Sequence, residues 1–302
     1  MAMGRACASV SLIVLVASSS APHAQATLAA GPDDTSCDAV VAHYASSSSA
    51  GRAFLDGVHA LLPTRCQMIV YDKSSMPCSD MPSYVSSCTA LENVGREQHT
   101  YARHVATSYN ALPAWLIFTT SDLSRHHRAQ KLHAMLNQTV QQVLPQSARA
   151  RGAGFACSSV TQEPKSQLQA SSRCRLNAYA GCTIPYYPGI NVLPATPARL
   201  MPWLREHLNN QINTLLCGLP TCHYGIAVST RENLRAHPSA VYDGIVSSLS
   251  NVPRNQPIEQ LHEAGFYLEW AMAAVFGSLS SSDAPQCDGT EVRCDRASCE
   301  GL

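Results

Sequence analysis

Cysteine is the residue that most limits what this chain can become. The sequence holds thirteen. Cys7 lies in an N-terminal stretch laid out like a secretory leader. It has one charge at Arg5, a short apolar run from Val10 to Ala17, and a small-x-small site at Ala24-Gln25-Ala26. That run is too short to span a bilayer, which takes roughly 20 apolar residues, and no later stretch reaches that length. Cleavage after Ala26 leaves twelve cysteines, from Cys37 to Cys299. An even count in an oxidising compartment implies up to six bridges. The spacings show no paired C-x-x-C grammar, which argues against zinc. Pairing is not legible from spacing, although Cys217 and Cys222 are close enough to close a small loop around Gly218 and Pro220. In the same compartment Asn137-Gln138-Thr139 is a glycosylation sequon. The expected protein is secreted or lumenal, stapled by disulfides, with no integral membrane segment after leader cleavage.

Roughly 275 residues then remain, enough for one sizeable core with a small appendage. Basic and acidic residues balance at 21 each, with no Lys/Arg-rich block. This argues against nucleic acid and anionic membrane as partners. Short apolar runs alternate with amphipathic stretches. Asp38–Tyr44, Cys66–Tyr71, Leu112–Thr119 and Tyr224–Ser229 read as strands. Phe54–Leu62, Arg96–Tyr109, Ser121–Leu144, Pro197–Leu216, Thr230–Leu249 (interrupted near Pro238) and Ile258–Phe276 read as helices. The serine run Ser46–Ser49 reads as a loop, 72–88 as a disulfide-pinned loop, and 148–191 as irregular. Strand and helix alternation of this kind defines an α/β layer fold with a mainly parallel sheet. The expected division is 1–26 leader, 37–277 α/β domain, and 278–302 a polar linker with a Cys-rich tail.

The common catalytic patterns are absent: no G-x-S-x-G, no H-E-x-x-H and no Walker loop. The informative block is Asn93-Val94-Gly95-Arg96-Glu97-Gln98-His99-Thr100-Tyr101. It resembles the N-x-G-R-E-x-H-T-Y-L signature of the domain-of-unknown-function 3431 family. Further pieces fall in that family's order: Val40–Tyr44, Val70-Tyr71-Asp72-Lys73, Tyr109–Pro113 with Ile117-Phe118, Ala227-Val228-Ser229 with Arg231, Pro238 and Tyr242, then Leu268-Glu269 and Phe276-Gly277. The likeness spans roughly Ala39 to Gly277. It also shows departures. Trp270 and Met272 stand where the family has arginine and tryptophan, and Ser46–Ser49 replaces its E-D-x-x-W.

That family's layout is similar to GT-A-type glycosyltransferases, which bind nucleotide-diphospho-sugars. The resemblance implies a single three-layer GT-A-like domain. It implies a sugar passing from a nucleotide-sugar donor to a hydroxyl acceptor on a carbohydrate, with Asn93 and its neighbours beside the nucleotide. Residue chemistry adds to this. Gly95 permits a tight turn into a helix whose positive end suits a diphosphate, and Arg96 adds a forked cation. Glu97, His99 and Tyr101 complete the expected substrate-binding set. Asp122, one carboxylate after the third strand where a GT-A enzyme has a D-x-D pair, is the candidate ligand for Mn²⁺ or Mg²⁺, an incomplete site, and a helix cap is the stronger reading. Glu269, on an otherwise apolar helix, is the candidate catalytic base. His126, His127 and His133 read as a solvated face, since none forms an i, i+4 pair and Arg125 and Arg128 flank them. The competing reading is an inactive secreted protein of the same fold that binds carbohydrate or a surface partner.

Overall fold

In the computed structural model, the strand β1 (Cys37–His43) is buried along almost its whole length. It lies between two parallel neighbours, β2 (Cys66–Asp72) and β4 (Trp115–Thr120). A strand covered on both faces must be apolar throughout, which is why these three read as continuous apolar runs. The structure describes residues 35–45, 47–74, 77–122, 154–157, 192–193, 195, 197, 199–208, 222, 224–251 and 261–277. The leader, the sequon at Asn137, the three histidines at 126, 127 and 133, most of the 121–144 stretch and the Cys-rich tail lie outside the described residues.

The main sheet has six strands in the order β3-β2-β1-β4-β7-β5. Here β3 is Val85–Ala90, β5 is Phe155–Cys157 and β7 is Ala227–Thr230. The block β3-β2-β1-β4 is parallel, whereas β7 runs antiparallel to both β4 and β5. A separate parallel pair joins β6 (Val192–Leu193) to β8 (Leu261–His262). Seven helices among the described residues are used below: α1 (Ser48–His59), α2 (Arg96–Ser108), α3 (Leu200–His207), α4 (Arg231–Arg235), α5 (Ser239–Ser250), α6 (Glu263–Trp270) and α7 (Met272–Phe276).

The period-two alternation of β1 divides the core. Ala39 and Val41 point to one face with Met68, Val70, Ile117 and Val228, covered by Leu55 and Val58 of α1. Val40 and Ala42 point to the other with Tyr71, Leu116 and Phe118, covered by α2, α3 and α5 to α7. The architecture is therefore the expected three-layer α/β arrangement with a mainly parallel sheet. On the larger side Phe118 stacks on Phe276 at 4.9 Å and meets Tyr101 at 5.1 Å.

Three disulfides staple the described fold: Cys37–Cys66, Cys78–Cys88 and Cys157–Cys222. The first joins the opening residues of β1 and β2, which are register partners. The third corrects the local loop considered for Cys217 and Cys222, because Cys222 bonds to the edge strand β5 instead.

Other expectations are revised. Ser47 caps a helix that opens at Ser48: its Oγ accepts from the Ala50 N–H, so α1 begins well before Phe54. The strand β3 hides in the 72–88 loop because its residues are half-buried or exposed at the sheet edge, so it carries no apolar run. β5 is three residues long and leaves no pattern. The final helix is two, α6 and α7, with Ala271 between them.

Tyr242 shows how the helices on the larger side are tied. Its buried hydroxyl donates to Leu234 O at 2.7 Å and lies 3.1 Å from Val275 O, joining α5 to the ends of α4 and α7. Tyr242→Phe should cost about 1–3 kcal/mol, since buried carbonyls lose their donor with little change in volume. Urea unfolding that shows no loss of stability would refute this tie.

Candidate functional site

Parallel strands place all their C-terminal ends on one edge of the sheet. His43, Asp72, Ala90 and Thr120 therefore close β1, β2, β3 and β4 along that edge. The chain runs outward from β1 to β2 to β3, then returns through α2 to β4 on the opposite side of β1. The reversal makes a switch point between β1 and β4, where open α/β sheets place their ligands.

The segment after β3 leads to this edge. Gly95 has φ 59°, which glycine adopts without penalty, as the tight turn required. Arg96 follows with φ 55°, a left-handed conformation that costs an L-residue about 1–2 kcal/mol. Arginine is held there by what its side chain touches. The guanidinium lies 3.4 Å from Glu97 Oε1 and 3.4 Å from Glu269 Oε2, and its carbon sits 4.4 Å from the centre of the Phe266 ring. Arg96 is 21% exposed, against 12% for Glu97 and 9% for Glu269. Arg96 is one partner that Glu269 finds on its apolar helix.

Gly225, also left-handed at φ 63°, gives room on the other side: a Cβ there would lie 2.7 Å from Glu97 Oε1. Its carbonyl accepts from the Tyr101 hydroxyl at 2.7 Å. Tyr101 is fully buried, with its ring in the core beneath this corner. His99 is 6% exposed and contacts Ser250 Oγ at 3.0 Å through Nε2. Burial, then Lys73 and Arg103, pushes its imidazole down to about 3, so it stands here as a neutral ring. Asn93 is half-buried in the turn before Gly95.

Sequence reading missed Lys73, which it quoted in a strand-end motif without a role. Lys73 is 6% exposed, and its Nζ donates to Val94 O at 2.6 Å and also to Arg96 O. Burial lowers its ammonium to about 7, with Glu97 opposing. It missed Phe266 as well, which carries no polar signal.

At the switch point His43 Nδ1 lies 2.8 Å from Ser121 Oγ, and the Tyr44 N–H donates to the same oxygen at 3.4 Å. His43 is fully buried and its Nε2 has no hydrogen-bond partner. Tyr44 is 56% exposed, a large ring open to solvent at this corner. Their position at the end of the first parallel strand was the available signal. Asp122 follows, half-buried. Among the described residues no three His, Cys, Asp or Glu side chains are grouped so as to hold a metal ion. Asp122 belongs to no such group among the described residues.

The site thus combines a forked cation, two carboxylates, a buried amine and an aromatic face on the ligand edge of an α/β sheet. No model of a known protein family matches this chain, the domain-of-unknown-function 3431 family included, and no curated protein matches either. Among solved structures the chain has a distant similarity to glucosyl-3-phosphoglycerate synthase from Mycobacterium tuberculosis, crystallised with uridine diphosphate. The identity is 12%, the TM-score 0.32, and 74% of this chain and 73% of that one are covered. A mycobacterial protein is similar at 12% identity and TM-score 0.29, covering 67% of this chain and 56% of that one. The fold described above rests on this chain's own strand order and not on these likenesses.

Proposed function

We propose that the chain is a glycosyltransferase-like protein of the GT-A type, which transfers a sugar from a nucleotide-diphospho-sugar to a hydroxyl of a carbohydrate acceptor. The observation that supports this reading is Arg96. A cation kept in a left-handed conformation, at the start of a helix on the C-terminal edge of the sheet, suits a diphosphate. In this reading the guanidinium and the first turn of α2 stabilise the charge that develops on the leaving diphosphate. Asn93, Glu97 and His99 surround the donor. Glu269 takes the proton from the attacking acceptor hydroxyl once the diphosphate draws Arg96 away from it. Asp122 is the carboxylate that would hold a divalent cation, which would supply charge neutralisation on the diphosphate, and no step here depends on one. The three disulfides fit a secreted or lumenal setting, and no described helix is long and apolar enough to cross a membrane.

One observation favours a silent binding protein of the same fold. The ion pairs of Arg96 with Glu97 and Glu269 already neutralise both the cation and the base. A thermal-shift screen of nucleoside diphosphates and nucleotide sugars, with and without Mn²⁺, separates the two. A donor at 100 times its Kd should add about 2.7 kcal/mol of stability. No shift with any nucleotide, together with saturable binding to a glycan, would establish the binding protein instead.

A further inference from the structure

The turn before α2 contains two successive residues in the left-handed region, Gly95 at φ 59° and Arg96 at φ 55°. The second is strained, and its neighbours Val94 and Glu97 belong to no strand that could hold it. One buried side chain reaches across from the residue that follows β2. Lys73 Nζ donates to the carbonyls of Val94 and Arg96, on either side of Gly95. The lysine backbone is itself anchored, because its N–H donates to His43 O at 2.8 Å, at the end of the central strand β1. The turn is therefore linked to the middle of the sheet through one amine.

We propose that Lys73 is the positioning residue of this site: it holds the Gly95–Arg96 turn closed and thereby aims the Arg96 guanidinium at the ligand edge. Only the identity of the ligand rests on the glycosyltransferase reading; the closure of the turn does not.

The groups around Lys73 are its chain neighbour Asp72 at the end of β2, His43 from β1, and Arg96, Glu97 and His99 from α2, with Glu269 of α6 joined through Arg96. Burial holds both imidazoles below their ordinary range, so neither takes up a proton above pH 7. The amine titrates at about 7 when the turn is closed and at its ordinary 10.5 once the turn opens to water. Between those values opening must take up a proton. Opening therefore becomes harder as pH rises, by up to about tenfold per pH unit, and below pH 7 the dependence stops. Both protonation states of the amine keep N–H donors for the two carbonyls.

Amide hydrogen exchange on the full chain, corrected for intrinsic rates, reads the turn directly. The His99 N–H bonds to Gly95 O at 3.0 Å and reports its closure. Protection of His99 in the unmodified protein should rise between pH 7 and 9. Lys73→Arg, which cannot shed its proton, should show lower protection with no such rise. Lys73→Met should lose about tenfold or more at His99 while amides of β1 and β4 keep theirs. UDP-glucose, whose diphosphate does not titrate in this range, should bind Lys73→Met about tenfold more weakly. The inference is overturned if Lys73→Met keeps full protection at His99, or if the arginine variant reproduces the pH rise. If the unmodified protein binds no UDP-glucose, the glycosyltransferase reading loses support while the exchange result still decides the role of Lys73.

Discussion

Replacing Cys157 and Cys222 together by alanine should be the most destabilising disulfide removal in the described fold. In the chain-entropy account the cost rises with the loop closed. It is about 4.3 kcal/mol for a sequence separation of 65, about 3.6 for 29 and about 2.7 for 10. The fold adds a local reason. Cys157 sits on β5, a three-residue edge strand that pairs only with β7 among the described strands. Cys222 is fully buried, and its N–H donates to Trp270 O at 3.3 Å at the end of α6. The bridge thus fastens the sheet edge to the helix that carries Glu269. The Cys37–Cys66 bridge, by contrast, joins strands already hydrogen-bonded in register over seven residue pairs. A loss near 4 kcal/mol corresponds to roughly 8–16 °C in Tm for a chain of this size. Calorimetry on the three paired variants ranks them, and a Cys157/Cys222 variant no less stable than the Cys78/Cys88 one would refute the ordering.

The second large effect is expected at Arg96, where binding and stability should separate. On the proposed function Arg96→Ala removes a charged contact to the diphosphate, worth about 1.5–3 kcal/mol, so nucleotide-sugar affinity should fall about ten-fold or more. It also leaves Glu97 and Glu269 without the cation between them, and it keeps the left-handed strain at φ 55°. Arg96→Gly removes the same guanidinium and the strain with it. It should lose as much affinity as the alanine variant yet be more stable by about 1–2 kcal/mol. Adding Glu269→Gln to Arg96→Ala should restore part of the lost stability, because one of the two carboxylates that faced the guanidinium is neutralised. Calorimetric titration with UDP-glucose alongside chemical denaturation reads both quantities. Unchanged affinity with a large loss of stability would make Arg96 a structural tie between α2 and α6. The silent binding protein would then be the better reading.

Much of the architecture is local information, and the sequence carries it. β1, β2 and β4 are covered on both faces, so burial forces an apolar run that can be read without any partner. The glycine at 95 and the stripe of Tyr101 and Val105 mark α2 for the same reason. What stayed hidden had no such signal. β3 is polar because it lies at the edge, and β5 is too short to show a period. The pairing of Cys222 with Cys157 was equally illegible, since any of twelve thiols satisfies the composition and only the packed sheet brings these two together.

The candidate site divides in the same way. Its residue types were legible: Gly95, Arg96 and Glu97 sit in one block, and Glu269 was conspicuous as a carboxylate on an apolar helix. That Glu269 faces Arg96, that Phe266 lies under the guanidinium and that Lys73 grips the turn are decided by the packing of α6 and β2 against α2. Sequence determines which groups must find partners, because burial makes an isolated charge or carbonyl costly. Which partner each group finds depends on contacts between segments far apart in the chain, and those exist only in the folded protein.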